Sequence, residues 1–424
     1  MTMKKTFLFF TLLLLASVIC SSSCSYHNDD NPNEYPDPQP EPEPEPEPGP
    51  DINQKYLEAA YTSNCFMVKP GQSVDIPILK AFAMWNLYAE WLGETDLMGL
   101  TPEPVLLWQD LPGLITNVGL IPGQQAEEGS IAVSTADKVG NAVIGIRIGG
   151  AIRWSWHVWV TRYDPDAELV AYGKIYTWDN NGDGVVDYTF MDRNLGALET
   201  DYTLPASRGL YYQWGRKDPF PYPASFSSNR PAPFVYHDCF RYEVIHPENS
   251  DPADVMTVDW AVKNPTSFIY KADYDVEEPE EDVLDWLLQP HHNLWGNTTR
   301  QGTDISEVCR KTIYDPCPPG WRVPDACDFE GIEPVRKLLP YYVEIIYDDT
   351  RTARYPAGGT LRGDNYSDVG AYGQVYTNTP YFWNFDKGPA FFDGVSCTSI
   401  YLMTDMRTTK EFRYQANAVR CIRE

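Results

Sequence analysis

The chain has 424 residues and carries 60 acidic against 33 basic side chains, a formal charge of -27. Residues 1–54 hold two lysines and nine acids, which leaves about -20 on the remainder. That balance excludes the basic footprint that nucleic acid demands and disfavours anionic lipid headgroups. Thirteen tryptophans and 28 tyrosines suit both β-rich cores and sugar-stacking surfaces, and composition alone does not separate the two.

Lys4 and Lys5 precede an apolar run from Phe7 to Ile19. Its length fits the h-region of a signal peptide and falls short of the roughly 20 residues that span a bilayer. Two cysteines follow. Cys20 comes after Ile19, whereas Cys24 comes after three serines, the small residues that a lipoprotein peptidase pocket admits. The expectation is a lipoprotein signal over 1–24 with Cys24 as lipid acceptor, against an ordinary secretory signal with incidental cysteines. Residues 25–54 then read as a disordered tether. Their PEPEPEPEP core, Pro40 to Pro48, favours polyproline II at about 3.1 Å per residue, stiffened by glutamate repulsion. Together these features predict lipid anchoring at the outer membrane, surface-exposed, with the membrane touched through the anchor alone.

Residues 55–165 read as a β-sandwich-like module. Short apolar runs recur between turn signals at Cys65–Val68, Val74–Ile78, Val105–Trp108, Ile115–Leu120, Ile131–Ser134, Ala142–Ile148 and Ile152–Thr161. Residues 79–104 are less regular and hold a helix or an inserted loop. In IRWSWHVWVT, alternation sets Ile152, Trp154, Trp156, Val158 and Val160 on a core face. Arg153, Ser155, His157, Trp159 and Thr161 fall on the other. Beyond Cys20 and Cys24 seven cysteines remain, an odd number in a chain read as exported, so at least one is free or pairs between chains. Their spacing argues against zinc, and Cys317–Cys421 is the preferred bridge.

Residues 166–424 open with a strand, Glu168–Thr177, that leads into DNNGDGVVD. Asp179, Asn181, Asp183, the Val185 carbonyl and Asp187 stand at the alternating positions of a calcium loop, with Gly184 at its sharp turn. Phe190 occupies position twelve, so the bidentate glutamate of an EF-hand is missing. The competing expectation is an Asx-rich turn between two strands. Further on, Val283–Leu288 reads as a short helix, Pro324-Asp325 as the start of another, and Asn417–Ile422 as a closing strand. His291 and His292 are adjacent rather than at i, i+4, and neither HExxH, GxSxG nor a phosphate-binding glycine loop occurs. The reading is a noncatalytic protein. A glycosidase carboxylate pair stays open among so many acids.

The series MDRNLGA (Met191–Ala197), GLYYQWGRKDPF (Gly209–Phe220), NLWGN (Asn293–Asn297), YDPCPPGWRVP (Tyr314–Pro324) and AVRCIRE (Ala418–Glu424) resembles the major paralogous domain first named from Fibrobacter succinogenes, common in Bacteroidetes lipoproteins. That domain is similar to C-type-lectin-like and sulfatase-modifying-factor-like folds. The resemblance implies an α+β C-terminal part with long loops in a mostly β chain. SNCFMVKPG, GNAVIGI and WSWHVWVT resemble a module that accompanies it in Bacteroidales surface proteins, some of them fimbrillin-related. Trp214, Trp295 and Trp321 read as core anchors, Arg193 and Arg322 as binders of loop carbonyls or carboxylates, and Gly215 and Gly320 as tight-turn glycines. The resemblance implies a noncatalytic adhesin or fimbria-associated binding protein whose partners are a glycan or protein ligand at the cell surface, fimbrial subunits among them. The alternatives are a glycan-binding component of a polysaccharide-uptake system and, last, an extracellular glycan-active enzyme.

Overall fold

Seven strands order the first part of the chain in a computed structural model of it. The model describes residues 52–167, 175–179, 181–222, 242–270, 285–291, 293–295, 311–329, 335–339, 342–348, 351–371, 373–381, 396–402 and 406–424. Cys20, Cys24 and the Pro-Glu segment lie outside them. Helix α1, Ile52–Ala60, begins inside the stretch read as tether.

The strands are β1 (Cys65–Val68), β2 (Ser73–Pro77), β3 (Pro102–Gln109), β4 (Ile115–Ile121), β5 (Ser130–Thr135), β6 (Gly140–Ile148) and β7 (Ala151–Val160). They build a four-stranded sheet in the order β1-β7-β6-β3 and a three-stranded sheet in the order β2-β5-β4. Only β1–β7 is parallel, matching Cys65 with His157 and Val68 with Val160. Between β2 and β3 the chain forms α2 (Leu79–Leu87) and α3 (Ala89–Leu92). Residues 80 to 85 of α2 are all buried. A helix covered on every side has no polar stripe to show its period.

Strand β7 corrects the two-face expectation. Its burial is continuous from Ile152 to Val160, because structure packs against both sides. Helix α4 (Val258–Lys263) and α2 lie against the strand, and Trp85 Nε1 donates to the Arg153 carbonyl at 2.8 Å. Ser155 instead meets Asp218, at 2.6 Å.

The later part contains a β8–β9 hairpin, Ile175–Trp178 with Tyr188–Met191, in one sheet with Trp321–Arg322 and Ile422–Arg423. A larger sheet runs in the order Asn365–Ser367, Thr360–Arg362, Ala416–Ala418, Gln374–Tyr381, Ser396–Leu402, Met406–Phe412, with β10 (Tyr211–Gln213) paired to Ala416–Ala418. The fold is therefore mostly β, in open sheets with few helices. Two local expectations change. Residues 285–288, the described part of the helix expected over Val283–Leu288, form bends, with Trp286 and Leu287 buried in the core. The closing segment divides into Ala416–Ala418 and Ile422–Arg423, on two different sheets.

Pro50–Glu424 forms a single compact unit, and one hydrophobic cluster crosses the boundary expected at 165/166. Polar side chains cross it as well. Asn64 Nδ2 donates to the carbonyls of Ile313 and Asp315 at 2.8 and 2.9 Å, and Ser63 Oγ donates to the Cys317 carbonyl at 3.0 Å. The early strands therefore complete the core of the later part, and each stretch buries apolar area that it could not cover alone.

Candidate functional site

The motif residues sit where the core needs them. Trp214, Trp295 and Trp321 are at most 2% exposed. Trp214 Nε1 donates to the Thr377 carbonyl at 2.8 Å, and its ring centre lies 5.9 Å from that of Trp295. Trp295 Nε1 donates to the Arg216 carbonyl at 3.1 Å. Trp321 is covered by the Arg423 guanidinium, 5.0 Å from its ring centre. Arg193 holds Asp192 through Nε at 2.7 Å and stacks on Tyr163, and Arg322 binds Asp328 at 2.8 Å and the Val323 carbonyl at 3.1 Å. Gly215 has φ +86°, a region that favours glycine, and a side chain there would press on Leu294. Cys317 and Cys421 form a disulfide with their Cα atoms 6.0 Å apart. Among the described residues Cys65 is free and buried.

The aspartate-rich segment forms the turn of the β8–β9 hairpin. Both Asp179 oxygens accept backbone N–H groups, from Gly182 and Gly184, each at 2.7 Å. Asn181 Oδ1 accepts from the Asp183 N–H at 3.0 Å, and Asp183 Oδ1 accepts from the Val185 N–H at 2.7 Å. Asp187 donates its N–H to the Trp178 carbonyl at 2.9 Å, closing the hairpin. Desolvation acts to raise the Asp179 pKa, but the N–H groups of Gly184 and Gly182 outweigh it and hold the carboxyl below its usual range. This is the Asx-turn arrangement. Among the described residues no three His, Cys, Asp or Glu side chains converge as a metal site. Calcium would have to exchange these internal bonds for its own.

A chain of buried polar groups emerges only in three dimensions. Cys65 Sγ lies 3.4 Å from His157 Nδ1, and His157 Nε2 lies 2.9 Å from Asn141 Oδ1. Asn141 Nδ2 is committed to Asp110 Oδ2 and the Gly196 carbonyl, both at 3.0 Å. Asn141 Oδ1 must therefore accept, which places the imidazole proton on Nε2 and leaves Nδ1 to accept from the thiol. The order Cys–His–Asn is that of a thiol nucleophile with its base and orienting amide. Its environment opposes that use. Burial pushes the thiol pKa up and drives the imidazole down to about 3, so the neutral pair is favoured over thiolate and imidazolium. With exposures of 0%, 1% and 0%, the three residues also offer a substrate no contact. They act as a core hydrogen-bond chain joining β1, β6 and β7.

Beside it lies a second internal network. Lys217 Nζ binds Asp218 at 2.7 Å and Ser155 Oγ at 2.5 Å, and the ammonium groups of Lys217 and Lys80 lie 4.6 and 5.5 Å from the Trp154 ring centre. Lys80 also donates to the carbonyls of Thr62 and Ile313. Desolvation, then Lys311 and Lys217, lowers its pKa well below the usual lysine value.

Above this support the surface turns aromatic. Tyr88 and Trp91 stack with ring centres 5.3 Å apart and planes at 28°. His291 meets Trp91 edge-on at 5.2 Å, and Tyr61, 55% exposed, lies close to Tyr88. Trp91 rests on buried Tyr314 at 6.3 Å, and Tyr314 rests on Trp154 at 5.5 Å. Burial lowers the His291 pKa, which Glu90 opposes and Arg413 reinforces. Tyr88, Trp91 and His291 are each half-buried. Sequence reading missed this surface because its parts come from the end of α1, the α2–α3 junction and residue 291.

A second feature is a groove of about 320 Å³ between the end of β1 and the Pro318-Pro319 turn. Phe66 and Met67 line it, and the Lys69–Asp164 and Arg423–Asp166 ion pairs, at 3.3 and 2.7 Å, lie along it.

Comparison of the chain with family profiles, with curated proteins and with solved structures finds no match in any of the three. Among the described residues no helix is long and apolar enough to cross a membrane.

Proposed function

We propose that the chain is a noncatalytic cell-surface lipoprotein, anchored through Cys24, that acts as an adhesin or fimbria-associated binding protein and meets a glycan at the Tyr61–Tyr88–Trp91–His291 surface. The observation that carries this reading is the stack of half-exposed rings on a fixed support. The C–H faces of a pyranose ring pack against aromatic faces, which are apolar and electron-rich. Rings with two side-chain torsions, already held by neighbours, lose little entropy when they bind. The exposed Glu90 carboxylate, close enough to act on His291, supplies an acceptor for sugar hydroxyls at the rim. A protein ligand is the competing partner for the same surface.

The β-sandwich-like N-terminal module and the C-type-lectin-like C-terminal part belong to this proposal, as does the family resemblance of the motif series. Calcium enters it as a structural ligand of the hairpin turn, held by Asp179, Asn181, Asp183, the Val185 carbonyl and Asp187. The test is a glycan-array screen of residues 50–424, with calcium and with chelator. Saturable binding to a defined glycan class supports the reading, and loss on chelation adds the calcium step. Silence in both conditions refutes the glycan ligand and leaves a protein partner to be sought.

A further inference from the structure

Arg420, in the AVRCIRE segment, is wholly buried. Its Nε donates to Asn194 Oδ1 at 3.1 Å, and the Tyr355 ring centre lies 3.8 Å from the guanidinium carbon. Among the described residues, the terminal nitrogens Nη1 and Nη2 find no acceptor. A guanidinium taken out of water with two donor groups unmatched is among the costliest arrangements a core can hold. The carboxylate that acts on it, Asp192, is gripped by Arg193 at 2.7 and 3.2 Å. Among the described residues Arg420 therefore has no ion pair of its own.

Its other neighbours are phenols. Tyr355, Tyr202 and Tyr176 all lie close enough to interact electrostatically with the guanidinium. The Tyr202 hydroxyl is committed to the Asp192 carbonyl at 2.8 Å. Tyr355 and Tyr202 are 1% and 4% exposed, whereas Tyr176 is half-buried and marks the side nearest solvent.

We propose that the terminal nitrogens of Arg420, with the Tyr176 hydroxyl, form an internal binding site for a small monovalent anion of the halide class. The donor set is cationic N–H plus O–H, which an anion satisfies through charge-assisted bonds. A single unpaired guanidinium balances one negative charge, and a divalent oxyanion would leave one uncompensated. Enclosure by Tyr355 and Tyr202 favours an ion without bulky substituents. An anion held there fastens the terminal strand region to β8, so it stabilises the folded chain by mass action.

Thermal unfolding of the purified full chain tests this in sodium chloride, sodium bromide and sodium gluconate at matched ionic strength. The expected result is a saturable rise in Tm with chloride and bromide but not with gluconate. In crystals grown with bromide, an anomalous peak within hydrogen-bond distance of Arg420 Nη1 or Nη2 is expected. Arg420→Gln risks unfolding the chain, so Tyr176→Phe serves as the variant and is expected to raise the half-saturating halide concentration severalfold. Coincident Tm curves in all three salts overturn the proposal. So does a map from bromide-grown crystals that shows no anomalous peak at those nitrogens.

Discussion

Acid should weaken this fold through one identifiable imidazole. His157 is buried in neutral form, and burial drives its pKa from 6.5 to about 3. In the unfolded chain the ring takes up a proton near pH 6.5; in the folded chain it does so only near pH 3. Between those values the unfolded state binds more protons, so this group's contribution is intact above about pH 6.5 and declines as pH falls. The slope approaches about 1.4 kcal/mol per pH unit, and the loss at pH 5 relative to pH 8 is about 2 kcal/mol. Asp315 acts in the opposite sense, because burial raises its pKa to about 6, so it favours the folded state as pH falls from 6 toward 4. A variant isolates the histidine from that background. His157→Gln keeps one donor for Asn141 and one acceptor for the Cys65 thiol but does not titrate. Urea denaturation at pH 5, 6, 7 and 8, followed by tryptophan fluorescence, gives both stability curves. The expected difference is a wild-type curve that falls by about 2 kcal/mol more than that of His157→Gln between pH 8 and pH 5. Parallel curves would refute a buried, neutral His157.

Three further outcomes follow from the same core. The Cys317–Cys421 bridge spans a sequence separation of 104 residues, so replacing both cysteines with serine is expected to cost about 4 kcal/mol in denaturant titrations, a loss that added reductant should reproduce in the wild type. Arg413 and Asp285 form an ion pair at 3.1 Å with both side chains 1% exposed; Arg413→Met strands the carboxylate and is expected to cost about 3–5 kcal/mol, and adding Asp285→Asn should recover part of it. Gly215→Ala places a side chain at φ +86° and 2.9 Å from Leu294 Cβ, which should destabilise by about 2 kcal/mol or more in thermal unfolding, whereas an alanine at exposed Gly99 should cost less because nothing lies in its way.

The strands of the first half were legible because each is a short apolar run closed by a turn signal. Cys65–Val68, before Pro70-Gly71, has the expected ends, and the other six agree to within about three residues at either end. Helix α2 was ambiguous for a physical reason, since its residues 80 to 85 are all buried and carry no amphipathic period. The same cause defeated the two-face reading of β7. Alternation reports one wet face, and this strand has none. The aspartate-rich turn was legible as a hairpin turn and as a calcium loop at once, because both use side-chain oxygens at alternate positions. The buried Cys65–His157–Asn141 chain and the Tyr61–Tyr88–Trp91–His291 surface had no local signature. Their members stand up to 230 positions apart and meet only when the early strands pack on the later part.

The most direct test of the central claim is a paired glycan array of the wild type and Trp91→Ala, preceded by a check that both unfold at similar temperature. The expected result is saturable wild-type binding that falls at least tenfold in Trp91→Ala. Equal binding by the two proteins would contradict it and move the contact surface elsewhere.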